Sequence, residues 1–541
     1  MTVFDRILAA RGLDNKSKAA FLLPDYSKLH DPFLLPDMHE AVDRIKLALK
    51  NNEKIAIYGD YDIDGLTATA LMKESLECFG FKDIKVIIPN RFIEGYGLTE
   101  DVIESLSNEG VKLLLTVDCG SQSIKEIVAA NKLGLDVVVT DHHNLGEKLP
   151  PAIAVVNPKR ADSKYPFRDI AGVGVAFKLV QALQTQLEGL PAGAEKWLLD
   201  LVALGTVCDV VELVDENRIY VYFGLKVLAK TKRPGLKALM AVAKIDPEKL
   251  NARSLGFGLG PRMNAAGRLE TAQHALEMLL SRDTMEAYER AEYLDDLNIS
   301  RRSDQAKILK SAILQADRMQ DDPVLVVSSP DWNHGIVGIV ASKLLEKYRK
   351  PAFVIHEMGE ESKGSARSYG DFSAADALVF AKEAITKGGG HKLAAGVTLP
   401  TKNINDFRLL VNEFYKKQKL VNQPLLLLPK ADTDANLDEL GEELVGMIDQ
   451  LEPFGSGNPQ PILKTNKLTV VGVRKMGLDG QHLKLEVRDA FNNKIQLLAF
   501  GAPDTFFVEI GTEINAWYQL DINEWQGRRS VEGRLLHIET A

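Results

Sequence analysis

Between residues 54 and 156 the chain repeats one pattern: a short, mostly β-branched apolar run, then a stretch of helical composition, then another such run. The runs fall at 54–59, 84–89, 113–117, 137–140 and 153–156, with helices expected at 41–50, at 66–79 and between most later pairs. Strands that are apolar on both faces need cover on both faces, and the connecting helices of a parallel sheet supply it. In such a sheet a ligand binds in the crevice beyond the carboxyl ends of the strands. The acidic residues of this segment lie there.

The first run ends in Gly59-Asp60-Tyr61-Asp62-Ile63-Asp64-Gly65, three aspartates at a spacing of two ahead of a helix. The spacing resembles an oxygen-ligand loop for calcium, but the glutamate that closes such a loop is absent and a strand, not a helix, leads into it. A strand-end loop of carboxylates suits Mg²⁺ or Mn²⁺. As plain structure it is an N-cap aspartate with two solvated neighbours, which accounts for only one of the three. Asp118 ends the third run, Asp141-His142-His143 ends the fourth, and Asp209 ends another small, apolar approach at 203–208. One strand-end aspartate is a cap or a turn; several beside paired histidines point to a shared metal site. The candidate ligands outnumber what one open catalytic ion takes, so two ions about 3.5–4 Å apart are expected, able to activate water and neutralise a leaving oxygen. Imidazole among the carboxylates leans toward Mn²⁺ over Mg²⁺.

The length of 541 residues exceeds one ordinary core, and 45% apolar with 26% charged residues describes a folded chain. An α/β fold in several domains is expected: a lead at 1–40, a parallel-sheet catalytic domain at 41–220, a helical connector at 221–320, a second α/β domain at 321–430 and a barrel at 431–541. The lead carries two Leu-Leu-Pro-Asp repeats, at 22–25 and 34–37, read as helix starts or as packing over the next domain. Few breakers interrupt 285–317, so one long helix is expected there. The second domain reads as strand 324–328, helix 337–348, strand 352–356, helix 374–384, a glycine-rich turn at 388–390 and a strand at 394–399. Five short strand candidates after residue 467 suggest a small barrel or sandwich.

Three cysteines, Cys78, Cys119 and Cys208, none in a Cys-x-x-Cys pair, argue against a disulfide framework or a structural zinc site. No signal pattern and no membrane-length apolar window is visible, so a cytoplasmic protein is expected. The net charge of −9 weighs against a protein that blankets nucleic acid, less against an enzyme that grips a short stretch of strand.

Several segments taken together resemble the DHH phosphoesterase superfamily, and within it the single-strand-specific 5′→3′ exonucleases: GDYDIDG at 59–65, TVDCG at 116–120, TDHH at 140–143, GTVCDV at 205–210, GPRMNAAGRLE at 260–270, GGGHKLAAG at 388–396 and PFGSGNP at 453–459. The likeness covers residues 40–541, and the order and spacing of the motifs are more specific than any one of them. It implies a DHH domain joined by helices to a DHH-associated α/β domain, with an OB-fold β-barrel at the C-terminal end.

Carried over by position, the resemblance implies Asp62, Asp64, Asp118, His142 and Asp209 as metal ligands, with Asp118 shared between ions. Asp60 and His143 are implied as ligands or their supports, and Asp141 as the acid that orients the imidazoles. Where many smaller relatives open the first motif with histidine, this chain has Tyr58, so that metal site is expected to rest on Asp60 or solvent. Arg91, Ser365 and Arg367 are implied to hold a terminal 5′ phosphate, with His391 near the scissile group. On chemistry alone Arg91 offers a phosphate clamp and Tyr96 a stacking surface, the alternative being a surface turn with an Arg–Glu pair. Asn264 and Arg268 form either a packing turn or a wall of the strand entrance. Arg474, Lys475 and Lys484 on the barrel suit single-strand binding, the alternative being a solvated basic face over aromatic filling.

The expected function is two-metal hydrolysis of single-stranded DNA from its 5′ end to 5′-mononucleotides in repair and recombination. Mn²⁺ or Mg²⁺ is the expected cofactor, single-stranded DNA the expected partner, and a single-strand-binding protein and a repair helicase are what the resemblance suggests beyond it. The rivals are a DHH phosphodiesterase of short RNAs or cyclic dinucleotides, and a non-catalytic nucleic-acid-binding scaffold.

Overall fold

The computed structural model describes residues 1–90, 97–477, 480–525 and 527–540. Two compact units are present, Met1–Asp295 with Pro429–Ala541, and Asp296–Leu428.

The first unit holds a sheet of β1 (Ile55–Gly59), β2 (Ile84–Ile87), β3 (Leu113–Val117), β4 (Asp136–Thr140) and β5 (Ala154–Val156), ordered β2-β1-β3-β4-β5 and parallel throughout. β1 and β3 are buried along their whole length, as their unbroken apolar character requires. The chain steps from β1 outward to β2 and returns to β3 on the other side, so the order reverses between β1 and β3. A crevice opens at such a reversal. The register places Gly59 beside Val117 and Val117 beside Thr140, and therefore lines up the next residues, Asp60, Asp118 and Asp141, along one edge.

The helix Ile63–Cys78 packs under this edge against the helices Gly172–Gln184 and Leu199–Cys208. Residues 203–208 are thus the end of a helix, and Asp209 is its C-cap, not the end of a strand-like approach. The helix is buried along nearly its whole length, so its sequence carries no period to separate helix from strand.

β11 (Thr433–Asp434), β12 (Leu463–Met476), β13 (His482–Arg488), β14 (Lys494–Ala499), β15 (Glu513–Trp525) and β16 (Arg528–Thr540) form a six-stranded sheet, which the pairing of β12 with β15 closes into a barrel. β12 can serve two neighbours because irregularities at Thr465/Leu468 and Val470/Gly472 bend it. The helix Val3–Ala10 adds Val3, Phe4, Ile7 and Leu8 to the barrel core beside Leu444, Ile448 and Leu468. Arg11 pairs with Asp432 at 3.0 Å, and Arg6 with Glu439 at 3.1 Å. The lead is therefore divided. Its first helix packs on the barrel, while Asp37 accepts the Val155 N–H at 3.0 Å on the parallel sheet. Arg218, on the helix Asp215–Leu228, donates to the carbonyls of Phe21, Leu451 and Glu452 and ties the barrel's entry loop to the sheet's helices.

The 33-residue helix Thr284–Ala316 carries the chain into the second unit. Its sheet, β6 (Leu325–Ser329), β7 (Ala352–Met358), β8 (Glu361–Arg367), β9 (Lys387–Gly390) and β10 (Ala394–Pro400), has the order β6-β7-β8-β10-β9, with β6–β7 parallel and the rest antiparallel. The glycine run 388–390 is not a turn but the edge strand β9, in register with Ala395–Val397 of β10. Pairing with β10 overrides glycine's weak local preference for strand. Gly390 has φ 144°, and a side chain there would meet the Ala394 carbonyl at 2.5 Å. Among the described residues no helix is long and apolar enough to cross a membrane.

Candidate metal centre

Three turns of the sheet edge and one helix end bring the acids together. Asp60 follows β1 and is buried. Asp62 caps the helix Ile63–Cys78 by accepting the Gly65 N–H at 3.1 Å. Asp64 lies one turn in, its two oxygens accepting the N–H groups of Gly172 and Val173 at 2.6 and 2.8 Å. Those two amides open the helix Gly172–Gln184, whose amino end favours a carboxylate. Asp118 is 1% exposed and left-handed at φ 60°, a conformation aspartate tolerates better than most residues. A Cβ at position 172 would stand 2.3 Å from Asp118 Oδ1, so only glycine allows the approach.

His142 Nε2 faces all of this. It stands 3.2 Å from Asp118 Oδ1, 3.7 Å from Asp209 Oδ2 and 3.8 Å from Asp64 Oδ2. Both Nε2 and Asp118 Oδ1 are buried without a hydrogen bond among the described residues. Asp141 accepts the N–H groups of Ser121, His142 and His143 at 2.9, 2.7 and 3.0 Å and binds His143 Nδ1 at 2.8 Å. Asn157 steadies this shell, donating to Ser121 Oγ and the His143 carbonyl at 2.9 Å each.

The electrostatics are lopsided. Burial, then Asp209 and Asp62, pushes Asp64 well above the usual carboxylate range. Burial, then Asp64, Asp62 and Asp60, does the same to Asp118. Burial and Asp62 raise Asp209 to about 6. Burial and the neighbouring His143 charge lower His142 to about 3, so the ring facing the acids is neutral. Burial opposes ionisation of Asp141 as well, but His143, by hydrogen bond and by charge, holds its carboxyl well below the ordinary value. His143 is raised despite burial, through that same bond. A neutral imidazole and mutually repelling carboxylates make a donor set that bound cations would balance. Three groups have ligand atoms within 4.8 Å of one another: Asp60, Asp62 and Asp118; Asp64, His142 and Asp209; and Asp118, His142 and His143. Asp118 and His142 each belong to two of them, so the residues fit two adjacent hard cations.

Tyr58 is turned away from the acids, donating from its hydroxyl to the Gly97 carbonyl at 2.8 Å inside the sheet's core, and Asp60 stands on the acidic side instead. Asn264 and Arg268, on the helix Gly260–Leu269, line a cavity of about 330 Å³ with Asp60, Tyr61, Asp62, His143 and Cys208. Arg474 and Lys484 are cross-strand neighbours on β12 and β13; Lys484 is paired with Glu532 at 3.3 Å, and Lys475 lies over the Phe507 ring at 4.9 Å. Arg91 and Tyr96 fall outside the described residues.

In the second unit, Ser365 and Arg367 share one face of β8 and lie against Gly338 of the helix His334–Tyr348, where a Cβ would be in ordinary contact at 3.5 Å from Ser365 Oγ and Arg367 Nη2. His391 is exposed just past β9, its N–H on the Ala394 carbonyl at 2.8 Å. The sequence reading missed the amides of Gly172 and Val173, and with them Ser121 and Asn157. The small-residue run 171–176, which opens the helix Gly172–Gln184, is the available signal for the first pair.

The DHH family, N-terminal domain, matches residues 54–206, the DHHA1 domain 321–417 and the RecJ OB domain 431–537. The single-stranded-DNA-specific exonuclease RecJ of Bacillus subtilis is 37% identical over 97% of this chain, which spans 66% of that relative's length. The RecJ of Dickeya dadantii is 36% identical, over 94% of this chain and 92% of its own. The crystal structure of Thermus thermophilus RecJ with Mn²⁺ superposes with a TM-score of 0.84 at 28% identity, covering 99% of this chain and 76% of that one. The same enzyme with Mg²⁺ gives 0.78 at 27% identity, covering 99% and 74%.

Proposed function

The chain belongs to the RecJ family, and from that premise we propose that it hydrolyses single-stranded DNA from the 5′ end to 5′-mononucleotides, using Mn²⁺ or Mg²⁺ held by Asp60, Asp62, Asp64, Asp118, His142 and Asp209. The observation that carries the assignment is the set of acids facing one neutral imidazole, a charge imbalance that divalent cations relieve. Bound there, they supply Lewis acidity toward the phosphate oxygens and lower the pKa of water.

The chain's own residues do the rest. Asp141 fixes the His143 ring by its Nδ1, so the nitrogen of that ring that exchanges a proton with the reacting groups is Nε2. Asn264 and Arg268 line the cavity on the entrance side, where a guanidinium neutralises a non-bridging phosphate oxygen. Ser365, Arg367 and His391 are assigned to the 5′ phosphate and the scissile group on the family likeness. An anchored terminal phosphate fixes which linkage meets the acids and makes the cut end-directed. Arg474, Lys475 and Lys484 are assigned to the barrel's hold on the strand. The site of action is the cytoplasm, where a single-strand-binding protein and a repair helicase prepare the substrate.

The test offers 5′-labelled and 3′-labelled single strands, duplex DNA, RNA and a cyclic dinucleotide with Mn²⁺ or Mg²⁺. Stepwise loss from the 5′ end of single-stranded DNA is expected. Internal cuts, or cleavage confined to dinucleotides, would overturn the reading.

A further inference from the structure

One face of the second unit's sheet carries more than the residues assigned to the terminal phosphate, and cross-strand register sets out its rows. Val354 pairs with Ser365, Ser365 with Gly396 and Gly396 with Gly389. Two residues along each strand, His356 pairs with Lys363, Lys363 with Thr398 and Thr398 with Lys387. Partners in register, and residues two apart on a strand, share one face. The other face is the apolar core of Phe353, Ile355, Ala366, Ala395 and Val397.

Part of this polar face is covered and part is open. The helix His334–Tyr348 packs on β7 and β8, with Gly338 against Ser365 and Arg367. Gly396 and Gly389, side by side on β10 and β9, are exposed, and nothing stands within 4 Å of the place a Cβ would take on either. Glycine inside a strand weakens it and marks a place where a ligand comes close to the backbone. Beside this bare floor stand Lys363, Thr398 and Lys387. Lys343, Lys392 and Lys417 of the same unit pair with Glu346, Asp371 and Glu413, but among the described residues neither Lys363 nor Lys387 has a carboxylate at salt-bridge distance. Two such ammonium groups flanking a hydroxyl suit a phosphoryl group.

Lys363 is two residues from Ser365, a step of about 7 Å along the strand, and its flexible stem lets the ammonium reach back toward it. With the terminal phosphate on Ser365 and Arg367, the next phosphate into the strand is the one that meets the acids. A further anion seat on this face therefore serves phosphoryl groups outward of the terminal one. We propose that Lys363, Thr398 and Lys387 hold the outer phosphoryl groups of a 5′-triphosphate, so that the chain starts on triphosphate ends as well as monophosphate ends. This rests on the nuclease reading above and extends its substrates. A strand begun without a primer carries such an end, whereas a strand made by cleavage to 5′-mononucleotides carries a monophosphate. Water adds to the phosphorus of the first linkage and the bond to the 3′ oxygen breaks. A nucleoside 5′-triphosphate with a free 3′-hydroxyl leaves, and the shortened strand keeps a 5′-monophosphate. Every later cut then releases a monophosphate.

The experiment compares the full chain, loaded with Mn²⁺, with a Lys363→Ala/Lys387→Ala pair and a Lys363→Arg/Lys387→Arg pair. Substrates are long single-stranded DNAs with a 5′-hydroxyl, a 5′-monophosphate or a 5′-triphosphate end. The parent should cut the triphosphate end with a KM no higher than for the monophosphate end, and should release the first residue as a nucleoside triphosphate on thin-layer chromatography. The alanine pair should raise KM for the triphosphate end about tenfold while KM for the monophosphate end stays within about twofold. The arginine pair, which keeps both charges, should keep the parent's ranking. Equal losses on the two phosphorylated ends in the alanine pair, or a parent whose KM for the triphosphate end exceeds that for the monophosphate end, would overturn the proposal. A parent protein that does not shorten strands from the 5′ end would overturn the nuclease reading instead.

Discussion

One helix, Gly172–Gln184, touches two buried charge clusters of opposite design. At its amino end, Asp64 joins Asp60, Asp62, Asp118 and Asp209 around a neutral His142. Halfway along, Lys178 is fully buried, pairs with Glu216 at 2.6 Å and donates to the His30 carbonyl at 2.7 Å, while Tyr165 donates to the other Glu216 oxygen and the His30 N–H reaches Oε1 at 2.8 Å. The second cluster is closed: one cation, one anion, and hydrogen bonds for the remaining lone pairs. The first is open: Asp64, Asp118 and Asp209 crowd one another around a neutral imidazole. Buried charge closed in this way holds a fold together, whereas buried charge left open waits for a ligand.

The comparison breaks most visibly at Asp118. Asp118→Ala should cut turnover of a 5′-labelled single strand by about a thousandfold or more, because the metals' contribution is several kcal/mol, while thermal unfolding without metal occurs no earlier than in the parent. Near-normal activity would sink the assignment of this carboxylate to both ions. Lys178→Met should do the reverse, lowering stability by about 3–5 kcal/mol in denaturant titration by stranding Glu216, with activity per folded molecule retained. Adding Glu216→Gln should recover much of that loss.

Metal addition sharpens the contrast further. Saturating Mn²⁺ should stabilise the parent, by about 2.7 kcal/mol at a hundredfold excess over Kd, and chelation should reverse it. The Lys178→Met protein should keep that increment and Asp118→Asn should lose most of it. The smallest effect concerns a third place, Glu452 at the barrel's entry, which burial and then Asp449 and Asp521 raise from 4.5 to about 7. Its folded form keeps a proton that the unfolded chain gives up at lower pH. The stability it contributes is complete below about 4.5 and is lost as pH rises through about 7. Glu452→Gln should therefore melt higher than the parent at pH 8, with the difference closing toward pH 4; a pH-independent difference would contradict this.

The open cluster was largely legible in the sequence because its members stand in short contiguous runs at the ends of unmistakable strands, and the sheet register does the rest. Asp209 was legible as an acid after an apolar stretch, but not as a helix cap, since a helix buried on all sides has no polar face to give it a period. The amides that hold Asp64 leave no mark in side-chain identity beyond a small residue. The closed cluster was not legible at all: His30, Lys178 and Glu216 meet only through tertiary packing. Nor was β9, where three glycines form a strand because β10 pairs with them. The placement of Val3–Ala10 on the barrel depends on partners far along the chain, which no local pattern encodes.

That last placement bears on how the protein is made. Arg6 meets Thr433 across 427 residues of chain, and the apolar face of its helix has no barrel to cover it until those residues have left the ribosome. At 5–20 residues per second the wait is about 20–90 s. During that interval Val3, Phe4, Ile7 and Leu8 are an uncovered apolar face on a nascent chain. A ribosome that stalls before the barrel is finished would release a polypeptide that still shows this face.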